Sequence, residues 1–480
     1  MPLSTDVRVA GAALFLLPVE LRMPLKFGGQ VVERVTCARV AVRVVGTGGR
    51  SAVGWGETPL AVQWGWPSAS LSYAARHDAM VRLCRGAVGD LAGFAGTGHA
   101  LEIGHDFRTG RLDALAAAAG GEAVGGPVPE LAALIALSPF DLALHDAYGN
   151  LHGRDAFATL SAAWLSRDLA WYLRGADDLP ATALAGRHPD GLLVPRPPQT
   201  LLAWHLVGGL DPLEPADLRG DEPDDGEPLL LADWIARDGL ECLKVKLRGD
   251  DLDWDVDRLG RVGRIGLACG VRHFCADFNC TVTDPGYVHA ALDRSAATLP
   301  ELARRLLYVE QPFPYDLASH PIAVHSLGAR TRLFLDESAH DWRQVAVGRK
   351  LGWNGVALKT CKTFSGALLS LAYARACGMD VMVQDLTNPM LAAIPHLRLA
   401  AHAGTLAGVE TNGMQFCPEA SRPEATIHPG IYRRRGGRVD LSSLAGPGFG
   451  MRVAEIPRVL PAPDTVAGQI DPDPPRPLPT

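Results

Sequence analysis

No run of about 18 uninterrupted apolar residues occurs in the sequence, which excludes a helix that spans a bilayer. No block of lysine and arginine stands out either. With a formal net charge of −7, nothing suggests a nucleic-acid surface. A disulfide framework is missing too, since the nine cysteines are odd in number and irregularly spaced. Cys269, Cys275 and Cys280 lie close together but match no zinc spacing, and Cys275 sits inside an apolar run, so packing explains it better. The apolar stretch GAALFLLPVEL has no strong basic flank and no small-residue cleavage site, so it reads as a strand rather than a leader. These absences point to a cytoplasmic protein in a reducing compartment, with neither membrane nor nucleic acid as a partner.

What remains is the composition of a large globular enzyme. A chain of 480 residues, 47% of them apolar, suggests about two domains. Residues 1–162 mix strand and helix patterns and read as an α+β domain. Residues 163–430 read as a (β/α) barrel with a long insertion around its first strand, because Pro-, Gly- and Asp-rich stretches flank the short apolar run LLAWHLVGG. Residues 431–480 form a C-terminal segment whose proline-rich tail is expected to be disordered.

The strongest signal is a set of charged residues recurring at the period of a β/α unit. LKVKL carries Lys244 and Lys246, CADFN carries Asp277, YVEQP carries Glu310, FLDES carries Asp336 and VALKT carries Lys359. The steps are roughly 23 to 33 residues, about one strand, one helix and two loops. Each charged residue ends an apolar run, and parallel barrel strands point those ends at one mouth. The expected constellation is three carboxylates flanked by lysines.

Such carboxylates are hard oxygen ligands suited to Mg²⁺, with Mn²⁺ as a substitute. A cation there would stabilise the charge that develops when a proton leaves the carbon beside a bound carboxylate. The base must be unprotonated near neutral pH. Lys244 and Lys246, two apart on one strand, share a face, and each is expected to depress the other's proton affinity.

On these motifs the chain resembles the enolase superfamily, close to the mandelate racemase and muconate-lactonizing enzymes. The resemblance implies a modified TIM-type (β/α) barrel under an N-terminal α+β capping domain. It also implies Lys246 as the base, Lys244 as its electrostatic companion, and Asp277, Glu310 and Asp336 as metal ligands. Lys359 resembles the sixth-strand lysine of the muconate-lactonizing subgroup, and Asn279 and Glu337 its polar neighbours. The seventh-strand segment VMVQDL has Gln384 and Asp385 where mandelate-racemase-like members carry a histidine. ETNGMQFCP, after the eighth strand, lacks the Asp-x-Asp that dipeptide epimerases direct at an ammonium group.

Asp385, Glu410 and Asn412 are read as lining or supporting the pocket. Lys26 and Phe27, with Gly28 and Gly29, resemble a mobile loop over it. Trp64 and Trp66 are read as a second lid or a domain interface. Lys362, beyond the apolar run, is expected to be peripheral, and His205 to be packed rather than at the mouth. The implied activity is α-proton abstraction from a small-molecule carboxylate, foremost by a racemase or epimerase. Alternatives are a cycloisomerase, a β-elimination dehydratase of the o-succinylbenzoate synthase kind, and a catalytically retired binding protein. A homo-oligomer is left open.

Overall fold

The computed structural model describes residues 3–180 and 182–471. Three long antiparallel strands, β1 (Val7–Phe27), β2 (Gln30–Gly46) and β3 (Ser51–Pro59), form the capping sheet. The apolar run of β1 is continuous because both its faces are covered. Val7, Val9, Ala12 and Leu14 pack with the capping helices, whereas Ala13 and Phe15 join the larger core that includes the barrel. The helices are α1 (Tyr73–Ala92), α2 (Ala100–Ala119) and α3 (Glu130–His152). Helix α3 lies directly on β3 because β3 offers glycine at the contacts. A Cβ on Gly54 would come within 1.9 Å of the Ala147 nitrogen, and one on Gly56 within 2.1 Å of the Pro139 carbonyl.

The segment expected to be a mobile loop is the tip of a hairpin. β1 runs through Lys26 and Phe27, Phe27 pairs with Gln30, and Gly28 (φ +47°) with Gly29 makes the turn. Pairing reaches the turn after a register shift between Glu20 and Leu25.

The barrel strands are β4 (Thr200–Val207), β5 (Cys242–Lys246), β6 (His273–Asp277), β7 (Leu306–Glu310), β8 (Leu333–Leu335), β9 (Gly355–Leu358), β10 (Asp380–Val383) and β11 (Val409–Glu410). All eight expected strands are present and run parallel in the order β10-β9-β8-β7-β6-β5-β4-β11. The Leu406 N–H, donating to the Val381 carbonyl at 2.8 Å, bridges the remaining gap. Outer helices include α4 (Leu231–Asp238), α5 (Leu252–Ala268), α6 (Pro285–Thr298), α7 (Trp342–Leu351), α8 (Phe364–Ala376) and α9 (Ala393–Ala403).

Trp204, Cys242, Cys275, Tyr308, Phe334 and Met382 pack as one apolar layer. Side chains alternate along a strand, so the residue two steps onward points the same way one layer higher. Those residues are Leu206, Lys244, Asp277, Glu310, Asp336 and Gln384. Cys275 is thus a packing residue, and all nine cysteines are unpaired.

The insertion is laid over the outer helices. Asp178 accepts from Arg349 at 2.9 Å, and the Val194 N–H donates to the His402 carbonyl at 2.9 Å. The tail is extended but partly fixed, since Thr465–Gly468 pairs antiparallel with β1. The rest of the proline-rich segment expected to be disordered, residues 472–480, lies outside the described residues. No helix among the described residues is long and apolar enough to cross a membrane.

Candidate active site at the barrel mouth

Strand register sets the site. Lys246, Asp277 and Glu310 stand side by side on β5, β6 and β7. The Lys244 ammonium donates to Glu310 Oε1 at 2.6 Å and Glu410 Oε2 at 2.9 Å, and lies 3.0 Å from Asp277 Oδ2. Lys246 Nζ donates to that same Asp277 oxygen at 2.5 Å. On the facing side Lys359 Nζ lies 3.1 Å from Asp336 Oδ2, and donates to the Asp385 carbonyl at 3.1 Å.

Burial makes the charges interdependent. It opposes the Lys244 ammonium, but Asp277, Glu310 and Glu410 outweigh it and hold the proton more tightly than usual. Burial, with Asp277 adding to it, pushes Glu310 well above the usual carboxylate range. Burial also works against Asp277, yet Lys244 and Lys246 bring it below that range. Lys359 and Lys362 do the same for Asp336. Glu337 is pushed up to about 7 by burial, with Asp336 and Asp277 adding to the effect.

A second ring of polar groups fixes these side chains. Gln384 donates from Nε2 to Glu310 Oε2 at 2.6 Å. Gln311 Oε1 accepts the Asp336 N–H at 2.8 Å. Asn279 Nδ2 donates to Glu337 Oε1 at 2.9 Å. Among the described residues, the non-glycine positions with positive φ are Asn279, Cys280, Gln311, Thr363, Thr387, Met390 and Arg452. All but Arg452 follow barrel strand ends, where strained backbone aims groups at a site.

A cavity of about 60 Å³ lies above the lysines, lined by Lys244, Lys246, Lys359, Asp385 and Glu410 from the barrel and by Phe27 and Trp64 from the cap. The Phe27 ring lies 5.7 Å from Lys246 Nζ, and the Trp64 ring 4.7 Å from Lys359 Nζ. Other expected residues fall elsewhere. Lys26 docks the hairpin instead of lining the cavity, its carbonyl accepting the Gly209 N–H at 2.9 Å. Asn412 braces the wall, accepting from the Leu206 N–H at 3.1 Å and donating to Glu410 Oε1 at 2.8 Å. Trp66 packs in the capping core. His205 points outward, its ring 5.3 Å from that of Trp234.

Sequence reasoning missed two members. Lys362 is buried, bonds both the carbonyl and the carboxylate of Asp336, and lies 5.4 Å from the Trp64 ring. The turn after β9 folds it back, so its place beyond the apolar run misled. Gln384 was legible by its alternation with Met382 on β10.

Among the described residues no three acidic, histidine or cysteine side chains already converge as a metal cage. The donors nonetheless fit a hard divalent cation. Asp277 and Glu310 already converge on one positive centre, the Lys244 ammonium. Beside them Asn279 Oδ1 and Glu337 Oε2 are buried oxygens without a partner.

Fold and mouth together define a capped (β/α) barrel with acids on three consecutive strand ends and lysines on strands facing each other across the ring. Residues 230–456 match the family model for the enolase C-terminal domain-like family. The barrel segment of this chain therefore belongs to the enolase superfamily, in its mandelate racemase/muconate-lactonizing branch. No curated protein matches the chain by sequence.

Solved structures resemble it along most of its length. The N-succinyl Arg/Lys racemase from Bacillus cereus ATCC 14579 is 15% identical, covering 92% of this chain and 95% of its own, with a TM-score of 0.58. A mandelate racemase/muconate lactonizing protein from Herpetosiphon aurantiacus is 17% identical, covering 93% and 98%, with a TM-score of 0.57. The dipeptide epimerase from Enterococcus faecalis V583, complexed with Mg and the dipeptide L-Leu-L-Tyr, is 14% identical, covering 92% and 99%, with a TM-score of 0.59. At these identities the likeness is one of fold.

Proposed function

We propose that this protein removes the proton α to the carboxylate of a small molecule, and that the overall reaction is a racemisation or epimerisation. One observation carries the reading: Lys246 on β5 and Lys359, just past β9, line the same cavity. These strands are four apart in a ring of eight, so the two ammonium groups approach a bound α-carbon from opposite sides. One, as the neutral amine, takes the proton at Nζ while the other, as the ammonium, returns one to the opposite face. Lys244, wedged among acids, supplies fixed positive charge toward the carboxylate. Asp277, Glu310 and Asp336 would hold Mg²⁺ or Mn²⁺, which offsets the negative charge gathering on the carboxylate as the proton leaves. Phe27 and Trp64 close the mouth and exclude water.

A second reading draws on how Lys359 is held. Asp336, the Asp385 carbonyl and the Trp64 ring all favour a permanent cation there. That arrangement suits a single-base cycloisomerisation or β-elimination, with Lys359 only stabilising charge.

Proton NMR in D₂O with Mg²⁺, on a panel of enantiomerically pure α-substituted carboxylates from small aliphatic acids to N-acyl amino acids and dipeptides, tests both. In the first reading Lys246→Ala slows α-exchange from one enantiomer by about 10²–10⁴-fold, and Lys359→Ala from the other. Normal exchange of both enantiomers by both variants overturns the two-base picture. Dependence on Lys246 alone selects the second reading.

A further inference from the structure

Apart from the charged residues and Thr387, the cavity is lined by apolar side chains. Away from the lysines its wall is made by Leu21, Leu25, Val32 and Val35 of the capping hairpin, with Leu206 and Leu386 from the barrel. Both acids bordering it are already engaged. Glu410 gives one oxygen to Lys244 and the other to Asn412. Asp385 accepts the N–H groups of Asn388 and Asn412 at one oxygen and the Asn412 amide at the other. Lys244, Lys246 and Lys359 are the only cations lining it, and the reacting carboxylate and its α-carbon take them. A second ionised group on the substrate would lose its water and find no free counter-charge. The volume above the lysines is small as well, about 60 Å³.

We infer that the substrate is a monocarboxylate whose far end is compact, uncharged and aliphatic, and that the β1–β2 hairpin selects it. The inference rests on the α-proton reading only for which end the carboxylate occupies. It makes Leu21, Leu25, Val32 and Val35 specificity residues, although the sequence alone drew attention to the neighbouring Lys26 and Phe27. A hairpin carrying aliphatic groups on its inward face meets an aliphatic substrate by excluding water and needs no directed hydrogen bond.

The test uses acids of matched chain length that lack an α-proton and cannot react: 2,2-dimethylpentanoate, 2,2-dimethylglutarate and 4-amino-2,2-dimethylbutanoate. Their affinities for the full-length protein with Mg²⁺ are read by calorimetry or ligand-observed NMR. The expected result is that the pentanoate binds at least tenfold more tightly than either charged acid. In Val35→Lys and Leu21→Arg, both at half-buried positions that tolerate a longer side chain, the order of pentanoate and glutarate should reverse. Equal or tighter binding of a charged acid by the native protein overturns the inference. So does binding of none of the three, or an unchanged order in both folded variants. Because these ligands cannot exchange, their failure leaves the α-proton reading to its own deuterium measurement, and failure of that measurement leaves this binding order intact.

Discussion

Arg39 lies buried between Glu57 and Glu424, and Glu424 is also held by Arg458, so one ion cluster ties the capping sheet to the chain beyond the barrel. At the barrel mouth an equally buried set places Lys244, Lys246, Lys359 and Lys362 among Asp277, Glu310, Asp336 and Glu410. The first cluster uses guanidinium, which is planar, forked and permanently charged. The second uses ammonium, a point charge on a flexible stem that can give up its proton. Among the described residues every ion pair made by a lysine is at the mouth, and pairs elsewhere use arginine or histidine. Burying charge is therefore not itself the mark of a site. What distinguishes the mouth is exchangeable protons beside a cavity, framed by strained backbone.

Exchanging the two kinds of cation should break the comparison most visibly. Lys246→Arg keeps the charge but removes a group able to give up its proton near neutral pH and act as the base, so α-proton exchange should fall by about 10²–10⁴-fold. Its urea unfolding should stay within about 1 kcal/mol of the native protein. Arg39→Met should do the reverse, leaving Glu57 without its cation at a cost of about 3–5 kcal/mol while the folded fraction exchanges normally. If Lys246→Arg remains active, the mouth is another structural cluster.

Metal binding sharpens the contrast next. Asp277→Asn, Glu310→Gln and Asp336→Asn should each weaken Mg²⁺ affinity by at least the roughly 10–100-fold that supporting partners of metal ligands are worth. Glu57→Gln should leave it unchanged. Calorimetry showing equal affinity in all four variants would remove the metal from the mouth.

The smallest effect comes from a buried acid with no cation beside it. Asp146 accepts N–H groups from Trp55, Phe449 and Asn150, at 2.9, 2.9 and 3.0 Å, yet burial pushes its carboxyl up to about 6. Its folded pKa lies above the unfolded one, so its contribution is fully present below about pH 4 and is lost as pH rises through about 6. Relative to Asp146→Asn, the native protein should lose about 1–3 kcal/mol across that window, read from urea midpoints against pH. A constant difference would show that the three N–H donors, not burial, govern this carboxylate.

Much of the mouth was legible because barrel geometry turns sequence period into spatial neighbourhood. An apolar strand ending in an acid, repeated on β6, β7 and β8, can deliver those acids only to one rim. Lys362 was not read, although a signal existed. The chain's lysines are only Lys26, Lys244, Lys246, Lys350, Lys359 and Lys362, and four of them lie in the two short motifs K-x-K and K-x-x-K. In a chain that otherwise uses arginine, such pairs stand apart from its solvated faces. Nothing local could have assigned Lys26, Asn412 or the aliphatic wall. Their roles depend on how the hairpin docks against Gly209 and on which of Asn412's atoms meets Leu206.

The sequence by itself determined the strand order, the apolar barrel layer and the strand ends at which charge would collect, because a period of two along each strand and roughly one β/α unit between strands leave little freedom. Only the tertiary structure decided which lysine meets which acid, that Lys362 turns back to Asp336, and that the hairpin brings leucine and valine over the mouth. Those outcomes arise from contacts between separate segments, 26 residues apart for Lys362 and Asp336 and 166 for Lys244 and Glu410, whose energies appear only once burial has brought the side chains together.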